Sequence, residues 1–113
     1  MMGQIENYRR MFARGGRRVT LQRRRANAQP VEVANVRARI RGFTPQEIAG
    51  GFDVGQRKIL ILAEDVPAGF RPLLKNDRVI VDGLTWAFSN RPDDQTHRDG
   101  DVLLAYDCVA AGA

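Results

Sequence analysis

The dipeptide Asp82-Gly83 stands between two apolar runs, within residues 77–90. A two-residue Asp-Gly connection needs positive φ at both positions and joins adjacent antiparallel strands as a tight hairpin. The turn therefore predicts the register. Val81 pairs with Leu84, Val79 with Trp86, and Asp77 lies opposite Phe88. Because strand side chains alternate, Val79, Val81, Leu84, Trp86 and Phe88 fall on one face as a core stripe, with Arg78, Ile80, Thr85 and Ala87 on the other.

Other segments carry the same period of two. Residues 17–24 alternate around Val19 and Leu21. In residues 31–41, Ala34, Val36, Ala38 and Ile40 share one parity, and Arg37, Arg39 and Arg41 the other. Both read as strands, the second bearing a basic ridge. Residues 58–62 are apolar on both parities through Ile59, Leu60, Ile61 and Leu62, which predicts a strand covered on both sides, by the core or by a partner subunit. A final strand is expected over 101–109, with Val102, Leu104, Tyr106 and Cys108 on one side, after a polar loop at 91–100.

Helical signals are few. Ile5, Tyr8, Met11 and Phe12 recur at helical spacing within residues 4–14, and Gly15-Gly16 supplies a stop. So short a helix is marginal alone and must dock on its own domain or on a neighbouring subunit. In the excursion 42–55, Thr44, Pro45 and Glu47 have capping-box spacing with proline at the first helical position, which predicts one helical turn. Long loops in small domains tend to carry function. Thr44, Pro45, Gln46, Glu47, Ile48, Phe52 and Asp53 are therefore the leading candidates for a working loop. The sum is a mainly β fold, a small barrel or sandwich of about six strands, in one domain over residues 1–113: a docking segment at 1–16, the barrel at 17–110 and the loop at 42–55.

The 113 residues carry a net charge of +5, unevenly placed. Residues 1–41 hold 11 Lys or Arg against Glu6 and Glu32, whereas residues 42–113 hold 7 against 11 acids. That polarity suits nucleic acid, an acidic protein surface, or head-to-tail packing of identical subunits. Arg23, Arg24 and Arg25, with Arg37, Arg39 and Arg41, are the candidate contacts. They read equally well as a phosphate-binding surface and as a solvated strand edge kept from aggregating by charge. No aromatic residues alternate with them, so any contact with DNA is expected at the backbone.

The composition argues against enzymatic chemistry. His97 and Cys108 are single copies, so a structural zinc site, a Cys-His dyad or a serine triad is not expected within the chain. Asp93, Asp94, Asp99 and Asp101 surround His97, but their spacing does not match a calcium loop. No metal or cofactor is expected. Cys108 lies in an apolar run and reads as a small buried hydrophobe. With no membrane-length apolar run and no apolar h-region near the amino terminus, the chain is expected in the cytoplasm or in something assembled there.

The order of parts resembles the phage head-to-tail joining family, also called head-completion or stopper proteins, with relatives in gene transfer agents. The likeness spans nearly the whole chain: a helix running into RRVTLQRR, a second strand VRARIRG, the stretch TPQEIAGGFDVGQRKILIL, and LLKNDRVIVDGLTWAFSN before the last strand. The family's Gly-Asp before the hairpin is Asn76-Asp77 here, and its aromatic followed by β-branched residues is Trp86-Ala87-Phe88. The resemblance implies a β-barrel subunit of a hexameric or dodecameric ring in the virion. That ring would sit between the portal or its adaptor and the tail terminator or tail tube and help retain packaged double-stranded DNA. In this likeness residues 42–55 are the channel loop, residues 59–62 an inter-subunit or core strand, and the first helix an attachment element. The alternative is a small basic nucleic-acid-binding barrel acting alone.

Overall fold

The computed structural model describes residues 3–42, 45–51 and 55–112. Helix α1 (Gln4–Gly15) opens the chain, and strands β1 (Arg17–Arg25) and β2 (Ala28–Gly42) follow. A short helix α2 (Pro45–Ala49) precedes β3 (Gln56–Leu62). Two 3-10 turns then lead to β4 (Arg78–Val81), β5 (Leu84–Phe88), β6 (Asp93–Asp99) and β7 (Val102–Gly112). The sheet order is β3-β2-β1-β4-β5-β7, and β7 returns to β3, so six antiparallel strands close into a barrel. Closure gives each of those six a neighbour on both sides, although β3 pairs with β2 only over residues 38–42; β6 is a seventh strand held by β7 alone.

The predicted hairpin register holds: Val79 pairs with Trp86 and Val81 with Leu84, across Asp82 and Gly83, both at positive φ. The Phe88 N–H donates to the Asp77 carbonyl at 2.9 Å, which places those two residues opposite each other. The stripe is less uniform than its parity implies. Val79, Val81 and Phe88 are buried and Trp86 half-buried, but Leu84 is 57% exposed. It flanks the turn and meets solvent rather than core.

Strand β2 departs from simple alternation. Val19 pairs with Val36 but Leu21 with Val33, so β2 carries an extra residue where Asn35 takes φ 61°. Such a bulge shifts the inward parity by one. Val31 and Val33 face the core on one side of it and Val36, Ala38 and Ile40 on the other, while Ala34, expected in the stripe, is exposed.

Strand β3 is covered on both faces by the chain itself. Ile59 and Ile61 point into the barrel with Tyr106, Cys108 and Ala110 of β7. On the outer face Leu62 and Ala105 are buried beneath Phe12 of α1, with Tyr8, Met11 and Leu60 packed around them. Helix α1 thus docks on its own barrel. Its end is tight: the Gly16 N–H donates to the Phe12 carbonyl at 2.8 Å. A Cβ on Gly16 would sit 2.1 Å from that oxygen, so only glycine lets the chain turn there into β1.

Two further expectations are corrected. Residues 93–99, expected within a polar loop, form β6. Its sequence DDQTHRD lacks apolar alternation because it is an edge strand with little core to face, and the β7 ladder holds it in place. In β7 the stripe buries Leu104, Tyr106 and Cys108, but Val102, at the start of the strand, is 59% exposed. The barrel itself has the six strands expected, and among the described residues β6 is one strand added to it.

Candidate functional site

The six arginines that form one basic set in the sequence divide in the fold. Arg23 shares the inward parity of Val19 and Leu21, and its guanidinium folds over Phe70, 4.3 Å from the ring centroid. Nε and Nη2 donate to Asp77 at 2.9 and 2.8 Å, and Nη2 also reaches the Phe70 and Pro72 carbonyls at 3.0 Å each. Asp77 is only 2% exposed and also accepts the Leu74 N–H at 2.8 Å. The Asp77 hydrogen bond raises the Arg23 pKa against the opposing effect of burial. This arginine is a structural clamp on the segment that carries Phe70 and Leu73 into the core.

Arg37 is committed in the same way. Its Nε and Nη2 donate to Asp65 at 2.8 and 2.9 Å, its backbone N–H to the same carboxylate at 2.8 Å, and Nη2 to Glu64 at 3.0 Å. Burial pushes the Asp65 carboxyl up, but the Arg37 side-chain and backbone hydrogen bonds outweigh it and hold the pKa below the usual range. Glu64 is held low chiefly by Arg9, which grips it at 2.8 to 2.9 Å. Arg41 donates to Glu47 of α2 at 2.9 and 3.2 Å, tying the excursion between β2 and β3 back to its strand.

Arg24, Arg25 and Arg39 are exposed, and no acid among the described residues pairs with them. They do not form one ridge. Arg24 and Arg25 lie at the end of β1 beside the β1–β2 turn, where Lys75 and Arg78 line a concavity with Arg24. Arg39 lies towards the other end of β2, its guanidinium about 3.0 Å from where a Gly15 Cβ would sit. Sequence reasoning overlooked Asp65 and Asp77 as partners. The signal for Arg23 was its inward parity; no comparable signal marks Arg37, whose partner lies across a 3-10 turn.

Of the loop candidates, Pro45, Gln46, Glu47 and Ile48 lie in α2, with Glu47 and Ile48 half-buried; Thr44, Phe52 and Asp53 lie outside the described residues. Ile59 and Ile61 are core and Leu62 lies beneath α1, whereas Leu60 is half-buried beside the helix. The docking residues Ile5, Tyr8 and Met11 are half-buried and Phe12 buried. Tyr8 also anchors α1 polarly: its hydroxyl lies 2.9 Å from His97 Nδ1, and His97 Nε2 lies 3.4 Å from Asp107. Lys58 meets the same Asp107 oxygen at 3.3 Å. This chain of polar groups joins α1, β6, β7 and β3.

No group of three metal-ligating side chains occurs among the described residues. Nor does any of their buried side-chain nitrogen or oxygen atoms lack a hydrogen-bond partner. Cys108 is buried, and burial pushes its thiol pKa well up, as suits a packing residue rather than a nucleophile. The molecule is thus a small closed antiparallel β-barrel with an outer helical strap and separate basic surfaces. Comparison with protein-family models, with curated proteins and with solved structures finds no match.

Proposed function

We propose that this chain is a non-enzymatic head-tail connector of a tailed phage or gene transfer agent. It is a ring-forming subunit that joins the portal or its adaptor to the tail and helps retain packaged DNA. The observation that supports this reading is the order of elements within one closed barrel: a helix, two long strands, a helix-bearing excursion, a strand covered on both faces and an Asp-Gly hairpin. That is the order on which the resemblance rests. The many internal ion pairs fit a rigid joining piece, since a closed barrel with satisfied polar groups resists deformation under load.

The excursion carrying α2 is the channel element in this proposal, and the exposed arginines make non-specific contacts with DNA phosphates. Particles produced without this chain are expected to accumulate filled heads that lack tails and leak DNA, with recovery when the chain is supplied in trans. Normal yields of tailed, full particles in its absence overturn the reading. The runner-up, a lone nucleic-acid-binding barrel, draws on the exposed Arg24 and Arg25; sub-micromolar, sequence-selective binding by the monomer in a gel-shift titration would favour it.

A further inference from the structure

A trough runs along the flank of α1 where it crosses the outer face of β2 and β3. One part, of about 350 Å³, is lined by Gly15, Arg39, Ile40, Arg41, Lys58 and Leu60. It adjoins a second of about 340 Å³, walled by Arg10, Met11 and Arg14, with Arg39 common to both. Arg41 is paired with Glu47 and Lys58 with Asp107, but no acid among the described residues pairs with Arg14 or Arg39. The trough therefore joins unneutralised positive charge to a partly apolar floor of Leu60 and Met11. Phosphate backbones need the charge but not the floor; an acidic protein segment with an apolar side chain uses both.

The same chain presents such a segment elsewhere. The β6–β7 turn, Asp99-Gly100-Asp101, projects two exposed carboxylates with no ion-pair partner among the described residues, and Val102 beside them is 59% exposed. Gly100 at φ 60° makes the turn tight. Ile5, near the start of α1, shares a cavity with Asp101 and Val102, whereas Gly15, at its end, lines the trough. A 12-residue helix at 1.5 Å per residue spans about 18 Å. The turn therefore cannot reach its own trough, and both surfaces are free at once.

We propose that the chain associates head to tail, the Asp99-Gly100-Asp101-Val102 turn of one copy seating in the Arg14–Arg39 trough of the next. Asp99 and Asp101 meet the two arginines, and Val102 meets Leu60 and Met11. Such a heterologous contact repeats until the copies close a ring or extend as a filament. The ring outcome rests on the connector reading; the contact rests on the two surfaces alone.

The test uses two charge-reversed full-length chains, Asp99→Arg with Asp101→Arg and Arg14→Glu with Arg39→Glu, examined by native mass spectrometry and sedimentation. The wild type is expected to self-associate, more weakly as salt rises. Each variant alone should associate at least about a hundredfold more weakly. An equimolar mixture should assemble again, because the reversed turn meets the reversed trough and the native turn meets the native one. Circular dichroism matching the wild type shows that both variants fold; if either does not, the single substitutions Asp101→Lys and Arg39→Glu take their place. Variants that assemble like the wild type, a mixture that stays dissociated, or a wild type that is monomeric at every concentration overturn the contact. The connector reading is judged separately by particle yield: tail-less, leaking particles together with a failed charge swap would sink this contact and leave that reading standing.

Discussion

Arg23 ties together strand β1, the Phe70 and Pro72 carbonyls and the carboxylate of Asp77. Removing one partner of a buried pair strands the other charge out of water, a loss far larger than the net worth of the pair. Arg23→Ala is therefore expected to cost about 3 kcal/mol in urea denaturation. The loss from Arg23→Ala with Asp77→Ala should fall well short of the sum of the single losses. Asp65 and Glu64 give a pH dependence. Their folded pKa values lie below the usual ones, so the stability they bring is present above about pH 4 and is lost as pH falls through the folded values. Asp65→Asn should flatten that acid limb of the stability curve relative to the wild type. The aromatic pair of the hairpin separates burial from mere parity. Phe88→Ala should cost about 3 to 5 kcal/mol by opening a cavity, and Trp86→Ala, half-buried beneath Arg57, about 1.5 to 3. Equal shifts in thermal unfolding would contradict this ordering.

At the scale of elements, α1 completes the fold by covering an apolar outer face. Leu62 and Ala105 reach full burial only because Phe12 lies across them, and the Tyr8–His97 contact fixes the helix against β6. Apolar burial supplies the attraction, and the hydrogen bond sets the position. The excursion between β2 and β3 is attached differently. α2 has no buried residue and is tethered through Glu47 to Arg41. Deleting residues 46–53 should therefore leave the thermal transition within a few degrees of the wild type, because the core stripe lies elsewhere. A collapse of the cooperative transition would show that the excursion is structural.

For the whole molecule, the net charge of +5 overstates what a polyanion meets, because Arg9, Arg23, Arg37 and Arg41 are already paired with acids of the same chain. Binding to duplex DNA is expected to be weak, salt-dependent and without sequence preference. Replacing Arg24 and Arg25 with serine should lower the slope of log affinity against log salt by about 2. Replacing Arg37 should destabilise the fold instead of changing that slope. Gel-shift titrations at several salt concentrations, with circular dichroism of each variant, measure both.

Local rules fixed much of this. The Asp-Gly turn set the register of β4 and β5, because a two-residue connection leaves one way to pair the flanking residues. Helical spacing and Gly16 set α1, and apolar residues on both parities foretold that β3 is covered twice. Only the tertiary structure decided what did the covering, a helix of the same chain rather than a neighbour, since a pattern of burial does not say who buries it. It alone decided that Asn35 shifts the inward parity of β2 and that a charged segment joins the sheet as β6. Bulges and edge strands answer to a partner's ladder more than to their own side chains. The division of the arginines, too, was settled by closure. Asp65 and Asp77 lie far along the chain from Arg37 and Arg23, and their pairing exists only once the barrel has brought them together.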